Sequence, residues 1–266
     1  MIGRIRAAQR ALGPAGDQGC SPWRLRGLPV CASTEWELDR WLAEDMESDA
    51  WAGLPGQEGG RLPGPRAVIA RRQRHGHGQF GRPWSSPDGG VWLSAALPWP
   101  LDPALGAAPG LAVATGLLLR LEEMGVSAQL KWPNDLLLDG RKLAGLLPGL
   151  RLRAGRVRWA RVGVGLNGRN LVPPVATNLV PALGRTRTHP VGLTALVLAA
   201  LEWAMAAAEQ PETVRQLAES RLGPAEPWRE ADGLWSPVGL TVDGGLVLNQ
   251  GDRRRVVRRQ PSARFP

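Results

Sequence analysis

Hydrophobic and polar positions follow two periods along this chain, and each period predicts a different element. Apolar runs of strand length occur at 66–74, 91–99, 127–132, 135–150 and 156–167. Helical spacing occurs at 104–124, 193–209 and 211–222. Thr34 and Glu37 have the spacing of a capping box, which predicts a helix from Glu35 with Ser33 and Thr34 at its mouth.

Two Asp-Gly pairs predict tight hairpins. Asp139-Gly140 suits a type I′ turn within 135–150, and Asp243-Gly244 gives a second hairpin in a region of short strands and turns. Helices alternate with strands and hairpins, which predicts an α+β (α/β) fold with a mixed sheet flanked by helices. We expect a disordered or irregular N-terminal extension at 1–24, a main domain at 25–222 and a small β domain at 223–266.

Composition narrows the class of protein. With 266 residues and 43% hydrophobic content, the chain can bury a large core. It has no run of the roughly 18 apolar residues that a membrane helix needs, and its first 12 residues lack the apolar stretch of a secretory signal. Two cysteines, Cys20 and Cys31, fit neither a disulfide framework nor a zinc site. We expect no membrane partner and a reducing, cytoplasmic location.

The net charge of +9 leaves a nucleic-acid-binding module open as an alternative. The basic residues are spread along the chain, except in the segment 251–260, which a solvated strand face also explains. All but two of the 33 basic residues are arginine. The exceptions, Lys131 and Lys142, indicate positions where a compact ammonium is needed.

The segment around residues 76–81 contains a first group of candidate functional residues. Gly76, Gly78 and Gly81 have the G-x-G-x-x-G spacing of a dinucleotide fingerprint, which requires a helix directly after the glycines. Residues 82–90 contain two prolines and two adjacent glycines, so they cannot continue as a helix. Either this is an ordinary surface loop, or its backbone N–H groups and Arg82 approach an anion.

The segment 130–147 contains a second group of candidate functional residues. Pro133 interrupts a strand, so Asn134 and Asp135 can point into a cleft, and the predicted hairpin brings Lys142 back towards them. Further along, Gly163 and Gly165 leave a strand surface bare for a flat ligand, with Asn167 at the strand end. An anion loop, a carboxylate and a lone lysine suit a reaction between a triphosphate and an acid.

These segments resemble the biotin protein ligases. Residues 73–89 match the family's glycine loop, Lys131 to Asp135 (KWPND) and 141–147 match its central motif, and Gly163 to Asn167 (GVGLN) match its third. Ser33 to Glu35 (STE) are similar to its N-terminal STN. The resemblance implies a catalytic domain of the class II aminoacyl-tRNA synthetase type followed by an SH3-like β domain, which is short here.

The resemblance also implies an activity. Biotin and MgATP would give biotinyl-5′-AMP, and a lysine of the biotin carboxyl carrier protein of acetyl-CoA carboxylase would then attack it. Lys142 and Arg82 would be catalytic. The implied biotin contacts are Ser33, Thr34, Glu35, Gln73, Gly76, His77, Gly78, Gln79, Trp92 as an aromatic wall, Lys142, Gly163 and Gly165. The implied ATP and adenylate contacts are Arg82, Trp84, Lys131, Asn134 and Asn167, with Asp135 as a magnesium ligand or orienting group.

The chain departs from the family at several positions. His77, Gln79 and Phe80 stand where the family loop commonly carries arginines, and Glu35 replaces the usual asparagine. About 25 residues precede the first strand, too few for the family's helix-turn-helix domain, so we expect a monofunctional ligase without DNA binding, as a monomer or homodimer. A lipoate or octanoyl ligase or transferase of the same fold is the other alternative.

Overall fold

A computed structural model of the chain describes residues 1–12, 23–47, 62–224 and 226–258. Its central sheet contains β1 (Arg24–Cys31), β2 (Arg66–Gln73), β3 (Val91–Leu97), β4 (Gln129–Lys131), β5 (Asp135–Leu138), β6 (Arg141–Arg153) and β7 (Arg156–Leu166). The strand order is β1-β2-β3-β7-β6-β5-β4. Strands β1 and β2 are parallel and the other neighbours are antiparallel, which confirms the predicted mixed sheet.

Helices cover both faces of this sheet. They are α1 (Ile2–Leu12), α2 (Thr34–Glu47), α3 (Pro109–Glu123), α4 (Val180–Arg187), α5 (Pro190–Ala206) and α6 (Pro211–Glu219). Because side chains alternate along a strand, Ile69 of β2 joins the main core with α3 and α5, whereas Val68 packs against Leu38 and Trp41 of α2 on the other face. Within the described residues, no single helix is both long and apolar enough to cross a membrane.

Most predicted elements are found, with four differences. Residues 2–12 form a helix whose Ile5 is buried, so the expectation of an irregular extension is wrong there, and residues 13–22 lie outside the described residues. Helix α3 begins at Pro109, a residue that suits a first turn, not at residue 104. Helix α4 was not predicted. The Thr34 hydroxyl does not cap α2; the Ser33 hydroxyl accepts from the Glu35 amide at 3.3 Å instead.

The C-terminal region is a separate antiparallel sheet, as predicted. It contains β8 (Trp228–Glu230), β9 (Gly233–Leu240), β10 (Leu246–Gln250) and β11 (Arg253–Val257). The basic run lies along β11 as far as residue 258, and 259–260 lie outside the described residues; on β11, Arg253 pairs with Asp232 at 2.9 Å and Arg255 with Glu230 at 2.5 Å. These ion pairs favour the solvated strand face over a nucleic-acid surface.

Candidate active site

The register of the central strands forms two rows of residues on the α2 face of the sheet, each with a glycine of β7 in the middle. On β3, Trp92 lies opposite Gly165 of β7, and Ser94 lies opposite Gly163. Strand β6 continues both rows, with Gly145 beside Gly165 and Leu147 beside Gly163. The glycines leave a depression in a sheet face that would otherwise be filled by side chains.

A cavity of about 690 Å³ lies over this depression. It brings together residues from the α2 N-terminus, the glycine loop and strands β3 to β7. Of the sequence-predicted site residues, the following line it: Ser33, Thr34, Glu35, Gln73, His77, Gly78, Gln79, Arg82, Trp84, Lys131, Asn134, Asp135, Lys142, Gly163 and Gly165. The separated segments therefore converge as the sequence predicted.

One end of the cavity is buried and polar. Gln73 Oε1 accepts from the Thr34 amide at 2.7 Å and from the Thr34 hydroxyl at 3.0 Å. The Thr34 hydroxyl also lies 2.8 Å from Ser94 Oγ, and Gln73 Nε2 donates to Ser86 Oγ at 2.8 Å. Because each of these groups is held by a neighbour, this end is a rigid polar surface and not a set of free side chains.

Glu35 adds a carboxylate to that polar end. Its side chain is 6% exposed, and Arg161 Nε on β7 lies 3.0 Å from Oε2. The same guanidinium directs Nη1 to both oxygens of Asp39 at 2.7 Å, and the Ser94 hydroxyl also interacts with the Glu35 carboxylate. Burial raises the pKa of the Glu35 carboxyl, and the Arg161 charge partly opposes that rise.

The central motif supplies a cation paired with a carboxylate. Lys142 Nζ lies 2.7 Å from Asp135 Oδ2, and it stands over the Trp84 ring at 5.0 Å from the centroid. Asn134 Nδ2 donates to the Leu146 carbonyl at 2.6 Å, which ties the turn after β4 to strand β6. The turn holding Lys142 in place has Asp139 at φ 51° and Gly140 at φ 71°, as a type I′ hairpin requires.

The glycine surface is not bare. A Cβ on Gly165 would stand 2.6 Å from the Trp84 indole, and a Cβ on Gly145 would stand 2.9 Å from the same ring. A Cβ on Gly163 would meet the Glu35 carboxylate at 2.9 Å. The flat group lying on the strands is therefore the side chain of Trp84, with Glu35 beside it, and a ligand would contact these two residues.

The glycine loop folds back on itself. The Gly78 amide donates to the Arg82 carbonyl and the Trp84 amide to the Gly76 carbonyl, both at 2.8 Å. The loop turns at Phe80, which has φ 58° and is 73% exposed. Arg82 is exposed, and its guanidinium stands 5.7 Å from the Phe80 ring centroid at the cavity rim.

Three predicted site residues do not line the cavity. Trp92 is 1% exposed, donates to the Pro87 carbonyl and meets Trp84 edge-on at 6.5 Å, so it supports the aromatic wall and is not the wall itself. Gly76 is a packing position, because a Cβ there would stand 2.6 Å from Ser86 Oγ. Asn167 is buried and donates to the Lys142 carbonyl at 3.5 Å, so it contacts the backbone of a cavity residue and not the cavity itself.

Ser94 and Arg258 line the cavity and were not predicted as site residues, and neither was Arg161, which contacts Glu35 without lining the cavity. Ser94 is a polar residue inside the apolar strand β3, and this pattern could have identified it. Arg161, the partner of Glu35, interrupts the apolar positions of β7 in the same way. Arg258, which follows β11 and pairs with Asp243 at 2.7 Å, also lines the cavity, and no local pattern singles it out.

The donor set does not form a magnesium site by itself. Within the described residues, no group of three or more His, Cys, Asp or Glu side chains could hold a metal ion. Asp135 is already paired with the Lys142 ammonium, which favours an orienting role over metal ligation. A magnesium ion at Asp135 stays a prediction.

Comparisons with known proteins agree with this geometry. Residues 59–167 match the model of the biotin/lipoate A/B protein ligase family. The match covers less than half of the chain. The match contains the glycine loop and the central motif, and it ends at Asn167. The resemblance to biotin protein ligases drawn from the sequence is confirmed.

The similarity to individual proteins covers only part of the length of each of them. The bifunctional ligase/repressor BirA of Bacillus subtilis is 36% identical over 105 residues, which are 38% of this chain and 31% of that protein. The biotin–[acetyl-CoA-carboxylase] ligase of Paracoccus denitrificans is 35% identical over 142 residues, which are 47% of this chain and 55% of that protein. The matched segments thus span about a third to about half of these relatives.

The family fold extends over most of the chain. The structure is similar to a biotin protein ligase from Aquifex aeolicus solved in complex with biotin and ATP, with a TM-score of 0.61 and 23% identity. The similarity covers 88% of this chain and 95% of that one. At this identity the likeness establishes the biotin protein ligase-like fold, including the small C-terminal sheet.

Proposed function

We propose that this protein is an ATP-dependent biotin protein ligase. It activates the biotin carboxylate as biotinyl-5′-AMP and then transfers biotin to a lysine of a biotin carboxyl carrier protein. The observation that carries the proposal is the convergence of Lys142 and Arg82 on a cavity whose other end is buried and polar. A bicyclic urea with an acidic tail has the matching distribution of polar groups.

The first step brings two anions together, the carboxylate of biotin and the α-phosphate of ATP. Their repulsion must be neutralised while charge spreads over the phosphoryl oxygens. Lys142 supplies a compact ammonium held by Asp135, and Arg82 supplies a guanidinium from the loop at the cavity rim. In this proposal, Lys142 holds the carboxylate and Arg82 meets the phosphate.

The carrier lysine attacks in the second step, with AMP as the leaving group. Biotinyl-5′-AMP is a mixed anhydride that water would hydrolyse, so the cavity must exclude water until the carrier arrives. The glycine loop is suited to that covering role because its residues line the cavity opposite the Trp84 ring, which lies on the strands. Magnesium enters this proposal with ATP and not through a preformed protein site.

The direct test is incubation of the full chain with biotin, MgATP and a biotin carboxyl carrier domain, followed by an avidin blot. We expect labelling that requires ATP and the acceptor lysine of the carrier. Replacing biotin with lipoate or octanoate tests the alternative activity of the same family. Labelling of a lipoyl domain in place of the biotin carrier would overturn the proposal.

A further inference from the structure

A second cavity lies on the α5 face of the central sheet, opposite to the cavity of the candidate active site. Its volume is about 620 Å³, and residues of α1, β2, β3, the loop after β7, α4 and α5 line it. Its floor is apolar, because it contains the buried side chains of Ile5, Ile69 and Val91. Small-molecule sites occupy roughly 300–1,000 Å³, so this cavity is large enough for an organic ligand. The proposed ligase reaction makes no use of it.

The wall of this second cavity is strongly basic. Four arginines from separate elements line it: Arg4 of α1, Arg71 of β2, Arg169 of the loop after β7 and Arg185 of α4. Among the described lining residues the one carboxylate is Asp88, and Arg71 already holds it through hydrogen bonds of 3.1 and 3.2 Å. No acid of the described residues forms an ion pair with the other three arginines. Their positive charge is therefore uncompensated, and a concave surface concentrates the resulting potential.

His189 at the start of α5 is exposed to this potential. Its ring lines the cavity, and burial together with the charges of Arg169 and Arg4 lowers the pKa of its imidazole. Nδ1 accepts from the Val191 amide at 3.2 Å, so the neutral ring carries its proton on Nε2. The wall thus combines arginines with a neutral N–H donor that adds no further repulsion.

The backbone fixes the position of Arg169. Its amide donates to the Gly89 carbonyl at 2.8 Å. Gly89 has φ 108°, and a Cβ there would stand 2.8 Å from the Asn170 amide nitrogen, so the turn before β3 and the loop after β7 pack as closely as a glycine allows. Because this part of the wall is ordered before a ligand arrives, less conformational freedom is lost on binding.

We propose that the second cavity binds a small phosphorylated organic molecule. Its phosphate pairs with Arg4, Arg169 and Arg185, since guanidinium groups match phosphate oxygens in two-point hydrogen bonding. Its organic part covers the apolar floor, which inorganic phosphate would leave in contact with water. A nucleic-acid backbone carries the same phosphate groups, but a concave wall over an apolar floor favours a compact ligand over an extended strand.

The first test uses phenyl phosphate as the probe, because it joins a phosphate to an apolar ring. Calorimetry on the full chain should show that it binds about tenfold more tightly than inorganic phosphate, from burial of the ring. Arg169→Gln should weaken its binding about 10- to 100-fold, the scale of a hydrogen bond to a charged group. The matched control is Arg6→Gln, an exposed arginine of α1 that does not line the cavity. Equal affinity of Arg169→Gln and wild type would overturn the inference.

The second test locates the ligand by NMR of the three histidines. His75 and His77 belong to the glycine loop, whereas His189 lies at the second cavity. Phenyl phosphate should shift the ring signals of His189 and raise its pKa, because a neighbouring anion stabilises the charged ring. The ring signals of His75 and His77 should stay in place. A shift at His77 instead would place the probe in the other cavity and overturn the inference. A duplex oligonucleotide that shifts His189 when phenyl phosphate does not would overturn it in favour of nucleic acid.

Discussion

Lys142→Ala is expected to reduce adenylate formation about 100-fold. The lost ammonium is held 2.7 Å from Asp135, and the side chain is 36% exposed. Removing one charged donor at developing charge in an enclosed site costs about 2.7–4 kcal/mol, or roughly 10²- to 10³-fold in rate. The partial exposure of Lys142 reduces this value towards its lower end, because water screens the charge.

The ion pair between Lys142 and Asp135 has a second effect on the rate of adenylate formation. A double variant separates this effect from the loss of the ammonium itself. Without Lys142, the Asp135 carboxylate stands unpaired beside two anionic substrates and repels them. Lys142→Ala combined with Asp135→Asn should therefore be less impaired than Lys142→Ala alone, by about tenfold, which is the repulsion of two unit charges roughly 12 Å apart at an effective dielectric constant near 20. Lys142→Arg should also fail, since a guanidinium is too large for the slot between Asp135 and the ring of Trp84.

The assay is biotin-dependent release of pyrophosphate from ATP, which reports the first step without a carrier protein. The matched control is Arg141→Ala, which removes the exposed neighbouring cation of the same hairpin. Pyrophosphate release by Lys142→Ala within threefold of the wild-type rate would refute the assignment. Equal losses in Lys142→Ala and the double variant would refute the role given to Asp135.

Three other variants test other parts of the site. Arg82→Ala should lower pyrophosphate release by about 100-fold and leave the Tm unchanged, because its guanidinium is exposed at the cavity rim. Gly165→Ala should lower both the Tm and biotin affinity, since the new Cβ would stand 2.6 Å from the Trp84 indole. Glu35→Gln should raise the Tm at pH 7 but not below the ordinary pKa of 4.5: with the pKa raised in the folded state, the ionised carboxyl opposes folding only above that value. A Tm gain that persists at pH 3 would contradict this cause.

Local chemistry made parts of the fold predictable. Asp139 and Gly140 both adopt positive φ in the predicted type I′ turn, and Pro109 occupies the first turn of α3, where its missing N–H costs nothing. Helix α1 was not predicted because its sequence, rich in arginine and alanine, has a narrow apolar face, with Ile5 buried against the core. Tertiary packing, not sequence pattern, decides the structure of such a segment.

The identity of most site residues could be predicted from the sequence, but the arrangement of their side chains could not. Motif spacing brought Gln73, Asn134 and Lys142 to one cavity because strand register fixes where their backbones meet. The interpretation of Gly163 and Gly165 as bare was wrong because the side chains above them come from distant segments. Whether Trp84 or Trp92 forms the wall depends on which ring turns outward, and the local sequence carries no signal for that.

The two lysines of the chain both lie at the candidate site. In a chain where every other basic residue is arginine, both lysines line the cavity, Lys131 at the end of β4 and Lys142 on β6. Arginine replaces lysine readily where a solvated charge is enough, but not where a cation must fit a small space. Lys142 pairs with Asp135 and also stands over the face of Trp84, in the cavity between the two. Composition and cavity lining point to both lysines, and the contacts with Asp135 and Trp84 single out Lys142, where we expect substitution to be least tolerated.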